Sequence, residues 1–345
     1  MRNMLASPLK DRYRLIHFET GSRGTESPAR DEKILSKLFR LITSPCVLVT
    51  QIFHARPAIV HLNSALSNKA FWRDAVYLVI CKLLRRKVVF QLHGGSLDAM
   101  CAKKSTECLV RLVFSMTDAV VVLANSEKRD FEQRGITKGL AVIPNAVDVP
   151  QYCGSAGRVH SGKVQQLAYL GRLVRGKGIL EAIEAIEILH TEERFSDIEL
   201  RIAGSGPARE EIKRCIDDRR LGSCVRLVGP VYGNDKVEFL RAADVFVLPS
   251  YKEGLPYSIL ESLAAGTPVI ASNVGGIPDV VVDRVHGVLI NPRDPREIVR
   301  AVQELGQSQD ALRKMSGDCV KWASEKLGLE RLVGQFEELY QKVLS

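Results

Sequence analysis

The sequence predicts an α/β protein of two domains, each a parallel sheet covered by helices. Three observations carry this expectation. Short β-branched runs alternate with helical patterns along the whole chain, which implies parallel strands joined by right-handed crossovers. At 345 residues the chain exceeds what a single hydrophobic core usually serves. The stretch Val245 to Ala271, VFVLPSYKEGLPYSILESLAAGTPVIA, reads as a complete strand–loop–helix–strand unit. Val245 to Leu248 has the length and content of a buried strand. Pro249-Ser250 breaks the regular backbone, and Tyr251, Lys252, Glu253 and Gly254 form a loop. Pro256 suits a first helical turn, where its missing N–H is harmless. Ile259, Leu260 and Leu263 make an apolar stripe that Gly266 and Pro268 end.

That unit aims the free N–H groups of Gly254, Leu255, Pro256's neighbours, Tyr257 and Ser258 toward a ligand, and such a group of amides suits a diphosphate. Glu253 lies in the loop, whereas Glu261 lies about one and a half turns into the helix. One carboxylate can therefore meet the reacting part of a ligand and the other a hydroxylated part further away. Two glutamates are more often a helix cap and a solvated helix residue. The flanking Pro-Ser, Gly-Leu-Pro and Ala-Ala-Gly-Thr-Pro argue against that plainer reading.

From the amino end, Arg14 to Phe18 reads as a first strand, followed by a turn carrying Gly21 and Gly24, where a backbone can approach a phosphate or sugar. A helix follows over 28–42. Cys46 to Gln51 and Ala58 to Asn63 are the next strand candidates. Phe71 to Leu84 is a helix leading into the strand Val88 to Leu92. His93, Gly94 and Gly95 stand at that strand's carboxyl end, the ligand-facing end of an open α/β sheet. A helix over 105–116, the strand Ala119 to Leu123, a helix capped by Ser126 and the short strand Ala141 to Ile143 complete the first half. The turn Pro144 to Asp148 closes it. Gln151 to Lys163, polar and glycine-bearing, is the linker.

In the second half, strand Leu167 to Leu170 runs into Gly171-Arg172-Leu-Val-Arg-Gly-Lys177-Gly178. Two cations at a strand-to-helix turn can neutralise a diphosphate. A helix over 179–189 and the strand Glu199 to Ala203 follow, ending in Gly204-Ser-Gly206-Pro, by itself a weak signal. Strand Val225 to Val228 ends near Val231 and Tyr232. After the central unit come Gly275-Gly-Ile-Pro-Asp279, a last strand Gly287 to Ile290, and helices over 295–305, 310–319 and 329–344. The final helix places Leu332, Phe336, Leu339, Tyr340 and Val343 on one apolar face.

Composition narrows the function classes. No apolar run is long enough to span a bilayer, and the first residues lack the apolar core of a signal peptide. Eight cysteines without CxxC or metal-ligand spacing read as small fillers in a reducing cytosol. The formal charge of +9 is lopsided: residues 1–150 carry +10 and the remainder −1. Most charge runs are solvated faces. Here Lys82, Arg85, Arg86 and Lys87 cluster, as do Lys103 and Lys104, so an anionic membrane surface is an equal expectation. Nucleic acid fits less well, because the clusters lack interleaved aromatics. A nicotinamide dehydrogenase is disfavoured, since no GxGxxG follows the first strand.

Glu253-x7-Glu261 within PSYKEGLPYSILESLAAGTPVIAS resembles the glutamate-pair motif of the family 4 retaining glycosyltransferases. Gly171 to Gly178 is similar to that family's "GRLxxxKG". Pro144 to Asp148 resembles "PNGVD", with Ala146 for the glycine, and Gly275 to Asp279 resembles "GGxxE", with Asp279 for the glutamate. The resemblance runs from about Leu15 onward. It implies the GT-B fold of two facing Rossmann-like domains: residues 1–150 for the acceptor, a linker over 151–163, residues 164–325 for the sugar-nucleotide donor, and a helix over 326–345 crossing back to the first domain.

It also implies roles. Arg172, Lys177, Gly204, Gly206, the loop from Gly254 to Ser258 and Glu261 would hold the donor, with Val231 and Tyr232 against the nucleobase. Glu253, His93, Arg172 and Lys177 would carry the chemistry. Gly21, Gly24, His93 and Gly94 would form the acceptor-side loops. No metal or cofactor is expected: no DxD motif occurs, and two fixed cations serve the leaving diphosphate. The expected partners are a nucleoside-diphosphate sugar and a lipid-linked saccharide of surface-polysaccharide synthesis, met in the cytoplasm or at the inner membrane's cytoplasmic face. Another GT-B chemistry, such as sugar-nucleotide epimerisation, and a noncatalytic sugar-nucleotide-binding assembly protein remain alternatives.

Overall fold

A computed structural model describes residues 9–18, 34–95, 97–153, 161, 163–191 and 195–345, with side chains from residue 43 onward in the second helix. The chain divides into two compact units. The first takes in the described residues up to Leu123, Lys128–Ile143 and Val333–Ser345. The second takes in Ala124–Glu127 and Pro144–Leu332.

In the first unit, β1 (Ile59–Leu66), β2 (Lys87–Gly95), β3 (Ala119–Val122) and β4 (Leu140–Val142) form a parallel sheet in the order β1-β2-β3-β4. Strands laid down steadily in one direction, with right-handed crossovers, put every connecting helix on the same face. The connecting helices Asn68–Leu83, Lys104–Ser115 and Asn125–Gln133 accordingly share one core. Phe71, Phe90, Phe114 and Phe131, one from each layer element, meet with ring centroids 5.1–6.1 Å apart. The last helix, Leu329–Leu344, brings its apolar stripe to this unit, as expected of the crossing helix: Phe336 and Tyr340 pack on His61 of β1. The Tyr340 hydroxyl and His61 Nδ1 share a hydrogen bond at 2.6 Å, and burial pushes the His61 pKa down to about 3, so the ring is neutral.

The second unit holds six parallel strands: β5 (Gln166–Leu170), β6 (Glu199–Ala203), β7 (Val225–Gly229), β8 (Val245–Leu248), β9 (Val269–Ser272) and β10 (Gly287–Ile290), ordered β10-β9-β8-β5-β6-β7. β8 and β9 are buried along their whole length, which is why they read as unbroken apolar runs rather than alternating ones.

Three expectations are corrected. Arg14 to Phe18 forms no strand; β1 is the first strand among the described residues. Cys46 to Gln51 is not a strand but part of the 22-residue helix Ile34–Ala55, which carries Pro45 inside it. Its β-branched Val47, Val49 and Thr50 mimic a strand, whereas Leu48 and Ile52, four apart and both buried, show the helical period that tertiary packing selects. Ser126 does not cap its helix. It lies within Asn125–Gln133 and donates its hydroxyl to the Gly275 carbonyl at 2.9 Å. Gly21 and Gly24 lie outside the described residues.

Candidate active site

The strand order of the second unit locates the site. From β5 the chain steps outward to β6 and β7, then returns to lay β8 on the other side of β5, with Leu167 opposite Val245. The carboxyl ends of β5 and β8 therefore flank the point where the winding reverses, and ligands bind in the crevice such a reversal opens. Arg172 and Lys177 follow β5, and Glu253 follows β8. Topology alone brings these distant residues to one place.

The loops interlock there. After β5, a tight turn over Arg175–Lys177 ends at Gly178, whose φ of 70° opens the helix Ile179–His190. A Cβ at Gly178 would lie 2.1 Å from the Pro249 carbonyl oxygen, so only glycine lets the two loops touch. The Tyr251 N–H donates to the Gly176 carbonyl at 2.9 Å, and the Lys177 ammonium pairs directly with Glu253 Oε1. Glu253 is 8% exposed and Lys177 24%. Arg172 is exposed and has no ion-pair partner among the described residues, so its guanidinium is available to an anion.

The loop after β6 supports this arrangement from below. A Cβ at Gly204 would fall 1.9 Å from the Gly171 oxygen, while the Leu173 amide donates to Ser205. Gly204, Ser205 and Gly206 thus hold the backbone that carries Arg172. Beyond β8, Pro256 precedes the helix Tyr257–Ala264, and the N–H groups of Tyr257 and Ser258 have no partner among the described residues. Tyr232, 70% exposed beside Val231 at the end of the β7 loop, offers an open aromatic face.

Glu261 is buried in that helix. Its Oε1 lies 2.6 Å from Lys236 Nζ, and it accepts from the Tyr152 hydroxyl. Burial, and next the Glu261 charge, keep Tyr152 protonated as a donor. The Lys236 ammonium also stands 5.8 Å from the Tyr152 ring centroid. Asn145, in the turn Pro144 to Asp148, donates to the Leu255 carbonyl at 3.0 Å and so fixes the loop between the two glutamates. Asp279 accepts from the Asn125 N–H at 2.6 Å.

Sequence reasoning missed Lys236, Tyr152 and Asn145 as contributors. A lone helix lysine reads as solvated, and Tyr152 sat in a stretch read as linker; it belongs instead to the short helix Val149–Cys153. Only the fold pairs Lys236 with a glutamate 25 positions away.

In the first unit, His93 and Gly94 end β2. The His93 Nε2–H donates to Asn63 Oδ1 at 2.9 Å, and burial lowers its pKa to about 4. The imidazole is neutral near pH 7, with Nδ1 left as an acceptor. Among the described residues, no three His, Cys, Asp or Glu side chains gather as metal ligands.

The profile for "Glycosyltransferase Family 4" matches residues 10–151, and that for "Glycosyl transferases group 1" matches residues 157–320. The putative teichuronic acid biosynthesis glycosyltransferase TuaC of Bacillus subtilis is 30% identical over 264 residues, 73% of this chain and 62% of TuaC. Glycogen synthase of Mycobacterium tuberculosis is 32% identical over 166 residues, 48% of this chain and 39% of that enzyme. The match thus spans about two fifths to three fifths of these relatives. Among solved structures, a glycosyltransferase from Rickettsia africae aligns with a TM-score of 0.75 at 17% identity, covering 97% of this chain and 86% of that one. HepE of Anabaena, crystallised with UDP, aligns with a TM-score of 0.74 at 18% identity, covering 86% of this chain and 81% of that one. The fold is thus that of GT-B enzymes, and with the two profiles matching consecutive stretches that span most of its length, the chain belongs to the family 4 glycosyltransferases.

Proposed function

We propose that the protein transfers a sugar, with retained anomeric configuration and without a metal, from a nucleoside-diphosphate sugar to a lipid-linked saccharide of a cell-surface polymer. The observation that carries this reading is the pairing of Lys177 with Glu253 across the two loops that flank the winding reversal of the second sheet, with exposed Arg172 on the first of those loops. In the transfer, the bond from the sugar's anomeric carbon to the diphosphate oxygen breaks. A bond to the acceptor oxygen forms, and the acceptor's proton passes to the departing phosphate. Negative charge grows on the diphosphate, and prepositioned cations stabilise it without reorganising. Arg172 and Lys177 take that role, aided by the Tyr257 and Ser258 amides.

Glu261, oriented by Lys236 and Tyr152, holds the ribose hydroxyls. Tyr232 and Val231 take the base, and Glu253 takes the transferred sugar. His93, as a neutral acceptor, is assigned to a sugar hydroxyl. Attack on the face that the diphosphate vacates needs no protein nucleophile. UDP in HepE favours a uridine donor, and TuaC's role favours a surface polysaccharide acceptor. A lipid-linked acceptor would place the protein at the cytoplasmic face of the membrane.

A panel of UDP-, GDP- and ADP-sugars, followed by nucleoside diphosphate release with and without chelator, tests the reading. Release that persists in chelator supports it. Interconversion of donor sugars without loss of nucleotide identifies an epimerase, and binding without turnover identifies a noncatalytic assembly protein.

A further inference from the structure

Three loops of the second unit meet at one side chain that the proposed transfer does not use. Tyr251 lies two residues before Glu253 in the loop that follows β8. Its N–H donates to the Gly176 carbonyl of the β5 loop at 2.9 Å. Its hydroxyl donates to Glu181 Oε1, in the first turn of the helix Ile179–His190. The guanidinium of Arg293, three residues past the end of β10, stands 4.7 Å from the centroid of the Tyr251 ring. Residues that follow β5, β8 and β10 thus close on one phenol.

Both outer partners are held there against a local penalty. The Glu181 Oε2 atom is buried with no hydrogen-bond partner among the described residues. An unpaired buried carboxylate oxygen is unfavourable, so this glutamate depends on the Tyr251 hydroxyl that its other oxygen accepts. Burial, and next the hydrogen bond to Glu181, push the Tyr251 pKa up to about 12, which keeps that proton in place. Arg293 has a φ of 69°, a left-handed backbone that strains any residue with a side chain and suits glycine. Its guanidinium nevertheless lies over the ring in a cation–π contact. Strain that a fold retains in this way gathers at functional loops.

The rest of the loop is tied down separately. The Gly276 N–H donates to the Gly254 carbonyl at 2.6 Å, and Asn145 holds the Leu255 carbonyl. Ser250 adds no tether, since its fully buried hydroxyl has no partner among the described residues. Tyr251 therefore governs the stretch that carries Glu253, whereas the Tyr257 and Ser258 amides follow anchors of their own.

We propose that Tyr251, clamped by Glu181 and Arg293, is a positioning residue that sets where the Glu253 carboxylate stands relative to Lys177, and so sets turnover without setting nucleotide affinity. A displacement of about 1 Å at a reacting centre can lower a rate about a hundredfold. The inference rests on the proposed sugar transfer for the role of Glu253, and on the three-way contact for the clamp itself.

Variants of the full chain test it by three measurements: steady-state kinetics with the donor that the sugar-nucleotide panel identifies, calorimetric titration with UDP, and hydrogen exchange of the peptide spanning 249–254. Tyr251→Phe and Glu181→Ala should each lower kcat about tenfold or more, leave UDP binding no weaker, and speed exchange of that peptide about tenfold. Glu181→Gln still accepts the hydroxyl and should stay within about threefold of the wild-type kcat. Arg293→Gly is the decisive change. It relieves the left-handed backbone, so the melting temperature should hold or rise, yet kcat should fall about tenfold. Unchanged kcat and exchange in both Tyr251→Phe and Arg293→Gly overturns the inference. So does UDP binding that weakens in step with kcat, or a kcat that falls only where the melting temperature falls. If the wild-type protein transfers no sugar, the function reading falls alone, and the loop exchange still decides the clamp.

Discussion

Replacing Glu253 by glutamine should separate nucleotide affinity from turnover, in opposite directions. In the structure Lys177 is held by Glu253, a pair that leaves the carboxylate 8% exposed and the ammonium 24%. A diphosphate that needs Lys177 must therefore compete with this carboxylate. A charge-assisted hydrogen bond contributes about 1.5–3 kcal/mol, roughly twice a neutral one. Glutamine keeps a neutral acceptor in place, so the competition eases by about 1 kcal/mol, after allowing for screening at a lysine that is partly in water. That corresponds to roughly fivefold tighter binding of nucleoside diphosphate. The same change removes the charge that meets the transferred sugar, which should lower turnover about a hundredfold or more. Calorimetric titration with UDP, paired with steady-state turnover of the identified donor, measures both. Weaker UDP binding with turnover untouched would refute the reasoning, because it would make Glu253 a nucleotide-holding group that does not compete for Lys177.

Arg172→Ala and Lys177→Ala should each lose roughly a hundredfold in rate, measured under saturating donor. Glu261→Gln and Lys236→Met should each weaken UDP binding about tenfold or more. The double variant should be little worse than either single change, since both act through one carboxylate; additive losses in calorimetry would show that Lys236 acts independently. The neutral His93 has a pH signature. With its folded pKa near 4 against about 6.5 unfolded, the unfolded chain binds the extra proton first, so stability is full above about pH 6.5 and falls toward pH 4. His93→Gln should flatten that part of the stability curve by about 3 kcal/mol, read by denaturant melts at several pH values. A curve that keeps its acid slope in the variant would assign the slope elsewhere, first to His61.

The second unit was legible in the sequence almost throughout, and the first from Ala58 onward but not before it. In the second, strands buried on both faces leave apolar runs such as Val245 to Leu248 that admit one reading, and glycines mark each turn. In the first, the Val47 to Thr50 run carries strand composition on a helix, because its partner faces, not its own preferences, decide its conformation. Glu253, Glu261, Arg172 and Lys177 stood out through their turn chemistry. Their supports did not. Lys236, Tyr152 and Asn145 act by contacts that bridge 25, 109 and 110 positions, and no local pattern announces such contacts. Charge misled in a similar way: the Lys82–Lys87 cluster looks free until the fold places Asp118 against it.

Asn145 and Tyr152 also bear on where the donor-binding half begins. The group 1 profile starts at residue 157, yet Asn145 holds the Leu255 carbonyl, Tyr152 holds Glu261, and Val147 donates its N–H to Leu327 at 2.9 Å. A fragment cut at residue 157 would retain all six strands and still lose the struts of its glutamate loop. The second compact unit takes in the chain from Pro144, together with Ala124–Glu127. Evolutionary shuffling or laboratory grafting of this half would have to carry those dozen preceding residues along, or deliver a sheet whose ligand loop has nothing to lean on.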